Sequence, residues 1–423
     1  MRLGVIKCGS FNIMITKDEI KDKSKEYNIN PADVERDYVF GWILNGIYSE
    51  SPLKDYLILK GGNLYRKAYL SNARFSKDLD FGFQTPLNSE FIIEELNQIC
   101  ENIAEKSGID FDLNRNKVEY KQTFNNSEAY EARLYFKDFF GKPGRITISA
   151  KLDIAEMQRI FLPIQSRPLI HPYSDSSSCS AEVMCLKLEE SLADKIKCLL
   201  QRRHIADLFD LIYSIFFNST IPLDKAEIFG VFLQKTIFAR NPKVVRDILL
   251  SLPLKKLNEA WNNYVIAPLI SKFDFNDAIS NFESLVRELF PETFSSRGDL
   301  AFFPPDKRNK IIDAGYNQKL LIINYEGYVR EVEPYSLTYK IRQDGIGQEY
   351  FYGYDLTGGK SKSVSIKIFL HSKIRSIEIS DKSFTPRFEI ELSKAGEFGK
   401  RPYFPRTRRR FTFSKKRRPR RRK

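Results

Sequence analysis

Histidine, cysteine and long apolar runs are all scarce in this sequence, and each scarcity removes a class of protein. Three histidines occur, His171, His204 and His371, and none stands at the spacing of a zinc site. The five cysteines, Cys8, Cys100, Cys179, Cys185 and Cys198, are odd in number, scattered and without a CxxC pair. Structural zinc and a disulfide framework are therefore excluded, and a reducing, cytoplasmic setting is expected. No uninterrupted apolar stretch approaches the roughly 20 residues of a membrane helix. Lys7 and the polar Gly9 to Asn12 break the first apolar stretch too early for a secretory leader.

Net charge is also missing from most of the chain. The formal charge is +14, but Gly399 to Lys423 holds 14 Lys and Arg and no acid, so the first 398 residues carry 54 basic against 54 acidic groups. A neutral body with a basic tail suits a flexible tether to a polyanion better than a fold wrapped by nucleic acid.

What is present reads as an α+β protein of several domains, since 423 residues exceed what one core usually serves. Asn30 to Asp37 has the signature of a helix start and leads into the apolar stretch Tyr38 to Tyr48. Tyr56 to Lys60 is a short apolar run that stops at Gly61-Gly62, after which Asn63 to Leu70 can turn as a helix. A strand is expected over Arg74 to Phe83, a helix over Phe91 to Lys106, and a half-buried strand over the strict alternation Arg145 to Ile154. Helical spacing then dominates from Leu188 to about Phe290. Glu292 to Asn317 is rich in Pro, Gly, Ser and charge and reads as a linker. Beyond it six short strands are expected, the last over Phe388 to Leu392, and they suggest a small barrel.

The chemistry concentrates around Arg74-Phe75-Ser76-Lys77-Asp78-Leu79-Asp80. Residues two apart in a strand face the same side, so Asp78 and Asp80 form a carboxylate pair that needs a cation between them, and Mg²⁺ with triphosphate oxygens is a common partner. Asp153, on the polar face of a later strand, can complete a two-metal site or act as base for an attacking hydroxyl. Lys151 shares that face, either as a phosphate contact or as a local neutraliser. Gly61-Gly62 between strand and helix offers backbone N–H groups to a phosphate, with Lys60 just before them. Ser76 either touches a phosphate or caps a turn. Taken singly, a DxD pair also fits solvated surface and a GG pair a plain turn. Their order, strand, GG, helix and then a DxD strand, carries the argument.

YLILKGGNLYRKAYLSNARFSKDLDF resembles the KGGxxL…RFSxDxD signature of the AbiEii/MenT nucleotidyltransferase toxins. VERDYVFGWILNGIY resembles the helix that precedes it in that family, and EESLADKIKCLLQRRHIADLFDL its later helix pair. The resemblance spans about residues 30 to 290. It implies a nucleotidyltransferase β-fold, Mg²⁺ as cofactor and an NTP as substrate. Together with the strand pattern that offers Asp153, it points to catalytic roles for Asp78, Asp80, Asp153, Lys195 and Asp207, with Asp78, Asp80 and Asp153 holding metal. Nucleotide contacts would come from Lys60, Gly61, Gly62, Ser76, Arg202 and Asp210. Lys195 and Arg202 are expected on the helical face opposite the apolar stripe, where they reach phosphates or else form a solvated charged face. Where the family carries an arginine before the first aspartate, this chain has Ala206.

Farther on, INYEGYVREVEPYSL, EYFYGYD, KIFLHSKIRSI and FTPRF resemble a WYL domain, with Tyr350-Phe351-Tyr352 at the Trp-Tyr-Leu position and lysine at Lys367 and Lys373 in place of that family's arginines. That resemblance, over about residues 319 to 392, implies an SH3/Sm-like β-barrel that senses a ligand or nucleic acid, with Arg330, Lys367 and Lys373 as contacts. In the tail, Tyr403, Phe404, Phe411 and Phe413 interleave with basic residues including Arg408, Arg409 and Arg410. Such a mixture suits single-stranded or structured RNA, although a disordered solubilising tail has the same composition.

The expected organisation is a nucleotidyltransferase domain with a helical C-terminal part over 1–292, a linker over 293–318, a WYL-like β-domain over 319–394 and a disordered basic tail over 395–423. The expected function is Mg²⁺-dependent transfer of a nucleoside monophosphate from an NTP to an acceptor such as a tRNA 3′ end, as a toxin or phage-defence effector with a cognate antitoxin and no membrane association. The alternative is a WYL-type nucleic-acid-sensing regulator in which the transferase fold is a scaffold. Intact Asp78, Asp80, Asp153 and Lys195 favour the enzyme.

Overall fold

The computed structural model describes residues 15–122, 128–139, 147–157, 159–292, 302–341, 347–359 and 362–397. Cys8 and residues 398–423, with Arg408, Arg409 and Arg410, lie outside them, while Ala395 to Glu397, expected in the disordered tail, are described and bond the helix over Leu188–Gln201.

The N-terminal half is built on one mixed sheet. Two helices lead in, α1 (Lys17–Tyr27) and α2 (Pro31–Glu50). The second starts where sequence rules place it, with the Asn30 side chain accepting from the Ala32 N–H and Pro31 at the first turn. Apolar residues surround α2 on all sides, which is the mark of a buried helix, and Val34, Val39, Ile43 and Ile47 are fully enclosed. Strand β1 (Ile58–Lys60) stops at Gly61-Gly62, where α3 begins (Gly61–Leu64) and continues as a π-helical turn over Tyr65–Tyr69. Strand β2 (Asp78–Phe83) is shorter than expected, because Arg74 to Lys77 run as a loop whose Phe75 N–H bonds the Ile266 carbonyl.

Helix α4 (Ser89–Ser107) follows, then β3 (Lys117–Gln122), β4 (Glu128–Lys137), β5 (Thr147–Glu156), β6 (Gln165–Pro168) and β7 (Glu182–Cys185). The seven strands take the order β3-β4-β5-β2-β1-β7-β6. Parallel pairing of β2 with β5 and of β1 with β7 makes the centre of this sheet; β2 and β5 alternate, with their apolar residues buried in the core, and α2 packs on β5 and β7. The opposite face of β2 and β5 stays polar and open.

Six helices follow: α5 (Leu188–Gln201), α6 (Ile205–Ile212), α7 (Lys225–Lys235), α8 (Pro242–Leu250), α9 (Asn258–Tyr264) and α10 (Phe275–Leu289). His204 caps α6 by accepting from the Ala206 N–H at 3.2 Å. His171 is buried against Asp175 at 3.0 Å.

The segment expected as a linker carries helix α11 (Pro305–Tyr316), started by Pro305 at its first turn. Next come β8 (Lys319–Tyr325), β9 (Tyr328–Ile341), β10 (Gly347–Asp355), β11 (Ser365–Phe369) and β12 (Ile374–Ser383). They form an antiparallel sheet in the order β11-β10-β9-β8-β12, with α11 across it and a second hydrophobic cluster of Phe303, Ile311, Leu321, Phe351 and Phe369 between. Glu326 and Gly327, at φ of 52° and 90°, make the two-residue turn that joins β8 to β9. Among the described residues no ladder joins β11 to β12, so the sheet is open and a closed SH3/Sm-like barrel is not seen. The expected strand over Phe388 to Leu392 is absent. That stretch makes one backbone bond to β9, from the Glu391 N–H to the Tyr335 carbonyl, and then turns as a 3₁₀ helix.

Candidate nucleotidyl-transfer site

Sheet register assembles an acidic cluster on the open face. Asp80 pairs across the ladders with Lys60 on β1 and with Asp153 on β5, while Asp78 pairs with Lys151. One carboxylate oxygen each from Asp78, Asp80 and Asp153 fall within 4.8 Å of one another. An all-oxygen donor set of this kind suits a hard divalent cation such as Mg²⁺. Burial, and next the neighbouring Asp78, push the Asp80 carboxyl up to about 6 against the pull of Lys60 and Lys195. The cluster is thus short of positive charge, which is the deficit a cation fills.

Local chain geometry holds the cluster in place. The Ser76 hydroxyl donates to Asp78 Oδ1 at 3.0 Å, so this serine orients a carboxylate, and the Asn63 amide on α3 donates to the Asp78 carbonyl at 2.6 Å. Gly61 adopts φ of +69°, and a Cβ there would stand 1.9 Å from Asp80 Oδ2. A Cβ on Gly62 would stand 2.7 Å from the Ser76 hydroxyl. Gly61 is therefore favoured by both its left-handed turn and the close approach of the carboxylate-bearing strand, and Gly62 by the nearness of the Ser76 and Arg74 side chains. Lys151 bonds Asp153 at 2.6 Å and lies 3.7 Å from Glu131, which resolves it as the local neutraliser.

Beside the carboxylates runs a chain of alternating charge. Arg202 grips Asp207 through Nε at 2.7 Å and Nη2 at 2.8 Å. Lys195 bonds Asp207 at 3.0 Å and Asp210 at 2.7 Å, and Arg74 closes the series on Asp210 at 2.7 and 2.9 Å. Three cations against two anions leave one positive charge in excess. The expectation that Lys195 faces solvent is corrected: it is buried, with the Tyr65 ring 5.6 Å from its ammonium. Folding α6 back onto α5 brings Asp207 and Asp210 over it as buried ion-pair partners. Burial alone would discharge Lys195, but Asp210 and Asp207 outweigh it and hold its pKa above the usual lysine value. Burial likewise works against Asp207, and Lys195 with Arg202 holds its carboxyl well below the usual range. Arg202 keeps 48% of its side chain exposed and is the accessible cation of the series. Ala206 leaves Asp207 without a neighbouring arginine, and the guanidinium on Asp207 comes from Arg202.

A second buried charge cluster lies behind the site and was not read from the sequence. Asp37 on α2 pairs with Arg66 at 2.8 Å and Lys67 at 3.0 Å, both on the π turn after α3. Arg66 also donates to the Ser71 and Ala73 carbonyls at 2.8 and 3.0 Å and stacks on Phe75 at 3.7 Å. It thereby ties down the loop that delivers Arg74 and Ser76. The available signal was the adjacent pair Arg66-Lys67 between Leu64-Tyr65 and Ala68-Tyr69.

In the C-terminal unit the expected contacts separate. Arg330 is corrected from a surface contact to a core residue: it is 7% exposed, its guanidinium bonds Asp355 at 2.9 Å, and it lies 5.2 Å from the Tyr325 ring. Lys373 is exposed and pairs with Glu326 at 2.7 Å, and Lys367 is half-buried on β11. Strand alternation sends Phe351 into the core, while Tyr350, Tyr352 and Tyr354 share the other face.

Comparison with known proteins gives a family. Residues 42–288 match the family described as Nucleotidyl transferase AbiEii toxin, Type IV TA system. The match leaves out the C-terminal sheet. No curated protein matches the chain. Among solved structures it is similar to MenT4, a nucleotidyltransferase toxin from Mycobacterium tuberculosis H37Rv, at 17% identity and a TM-score of 0.37, covering 65% of this chain and 86% of that one. No helix among the described residues is long and apolar enough to cross a membrane.

Proposed function

Because the chain belongs to the AbiEii nucleotidyltransferase toxin family, its match extending over more than half the length, we propose that it transfers a nucleoside monophosphate from an NTP to an RNA acceptor such as a tRNA 3′ end, at Asp78, Asp80 and Asp153. The observation that carries this reading is the convergence of those three carboxylates within 4.8 Å, beside the charge chain from Arg202 to Arg74. Mg²⁺ held by the three would neutralise charge on the phosphates.

The chain's own groups supply the rest. Lys60 and the N–H groups of Gly61 and Gly62 face the triphosphate, and Arg202 offers its exposed guanidinium to the departing end. Lys195 keeps Asp207 ionised and holds Asp207 and Asp210 in place, so the three cations present a fixed field to the developing pyrophosphate charge. Asp153 takes the proton of the acceptor hydroxyl as its oxygen attacks the α-phosphorus, and the bond to the β-phosphate oxygen breaks with loss of pyrophosphate. A toxin role and a cognate antitoxin are what the family implies, and the cytoplasmic setting expected from the scattered cysteines is proposed with the defence role.

We keep a WYL-like sensing role for the C-terminal sheet as a second proposal. It is supported by the resemblance around Tyr350-Phe351-Tyr352 and by the tyrosines on one face, with Lys367 and Lys373 as its basic contacts. The decisive experiment incubates the purified full chain with each α-labelled NTP, Mg²⁺ and total bacterial RNA on a denaturing gel. One or two NTPs should label discrete RNA bands. Label on protein instead would change the acceptor, and no label with any NTP would overturn the transferase reading.

A further inference from the structure

The corner between α5 and α6 is held from two directions. On one side Arg202 reaches into the charge chain at Asp207. On the other, the residues around it are bonded to the C-terminal unit, which the family match does not cover. Arg308 on α11 donates to the Leu200 carbonyl at 3.3 Å, the Gln201 amide donates to the Ala395 carbonyl at 3.2 Å, and Lys197 pairs with Glu397 at 3.0 Å. Arg203 points the same way: its guanidinium pairs with Asp313 and donates to Asn309 Oδ1 at 2.8 Å, both on α11.

Neighbouring arginines face opposite partners because the backbone turns between them. Arg203 sits at φ of +50°, in the left-handed region where helices end. Glycine or asparagine usually fills that position, since a Cβ is strained there. An arginine holds it here with its side chain buried and fastened by Asp313 and Asn309. Arg308 is itself fixed, fully buried beside Glu349 at 3.4 Å.

We propose that Arg203 is a positioning residue for nucleotide binding: α11 fastens it, its left-handed turn aims Arg202 at Asp207, and the C-terminal unit thereby sets the geometry of the cationic side of the site. The proposal rests on the reading of Arg202 as a phosphate-facing cation. A loosened corner leaves Arg202 free to swing toward solvent, and the pre-ordered field at the triphosphate weakens. The C-terminal unit acts on the site through this corner without touching the nucleotide.

A double-mutant cycle in the full chain tests it, read by calorimetric binding of non-hydrolysable analogues of the four NTPs with Mg²⁺. Arg203→Gly relieves the strained backbone while removing the grip, so a purely structural stop would be unharmed by it. We expect a melting temperature within a few degrees of the parent and a Kd raised about 5- to 10-fold. Combined with Arg202→Ala, it should bind no more weakly than Arg202→Ala alone, because both act through the same guanidinium. Asp313→Asn, on the half-exposed side of the contact, should follow the same pattern and carries the cycle if Arg203→Gly does not fold. Unchanged Kd, or losses that add, would overturn the proposal. Asp78→Asn and Arg202→Ala separate it from the broader reading: if neither weakens binding the site assignment fails, whereas if they do and Arg203→Gly does not, this inference alone falls.

Discussion

Asp37 and Asp80 are carboxylates sunk in the same unit, and their surroundings treat them in opposite ways. Burial disfavours the charge on both. At Asp37, Arg66 and Lys67 outweigh it and hold the carboxyl well below its usual range. At Asp80 the nearest groups include two further carboxylates, and the carboxyl rises to about 6. One cluster is complete within the protein and belongs to the scaffold. The other lacks its counter-charge within the protein, and the proposed cation would supply it.

The largest expected effect breaks the scaffold cluster. Asp37→Asn leaves Arg66 and Lys67 buried with no counter-charge, and we expect a loss of about 3–5 kcal/mol in unfolding free energy. Denaturant melts check it, and a loss under about 1 kcal/mol would remove the contrast with Asp80.

Asp78→Asn and Asp80→Asn should do the reverse. Transfer should drop at least about 10²-fold, while stability stays level or rises as like charges separate. Near-normal turnover in both variants would end the metal-site assignment.

A milder test keeps the sequence intact and varies pH and Mg²⁺. Because the folded pKa of Asp80 is about 6, above the usual aspartate value of 3.8, the native state without a cation binds the proton more tightly than the unfolded chain. Its contribution is fully present below about 4 and fades as pH rises to about 6. Added Mg²⁺ should therefore raise the melting temperature by a few degrees at pH 7.5 and much less at pH 5. Equal shifts at the two values would show that Asp80 does not meet the cation.

Deleting Gly399 to Lys423 should have the smallest effect on chemistry. Both charge clusters lie in the electrically balanced body, so turnover at saturating acceptor should change less than about 2-fold. RNA affinity at low salt should fall steeply and lose most of its salt dependence. Loss of transfer even at high acceptor concentration would place the tail inside the reaction.

Local pattern carried much of the site. Asp78 and Asp80 two apart, Gly61-Gly62 between strand and helix, and the Asn30 cap with Pro31 are all readable because their geometry is decided within one turn or one pleat. Arg330 was misread for the complementary reason. A basic residue on an alternating strand looks exposed until its partner is known, and Asp355 arrives from the next strand. The expected barrel failed similarly, since closure depends on pairing between outer strands and not on any strand's own sequence.

The sequence by itself determined the helix from Pro31, the strand, glycine pair and carboxylate-pair order, the order of blocks that marks the family, and the placement of all excess charge in the tail. Tertiary structure alone decided which distant groups meet. Parallel pairing of β2 with β5 set Asp153 beside Asp80, and the fold-back of α6 on α5 buried Lys195 between Asp207 and Asp210. It also decided that α11 fastens Arg203 while Arg202 pairs with Asp207. The physical reason is that periodicity and capping are settled by neighbours in the chain, whereas the state of a buried charge is settled by whichever charges packing brings within a few ångströms of it.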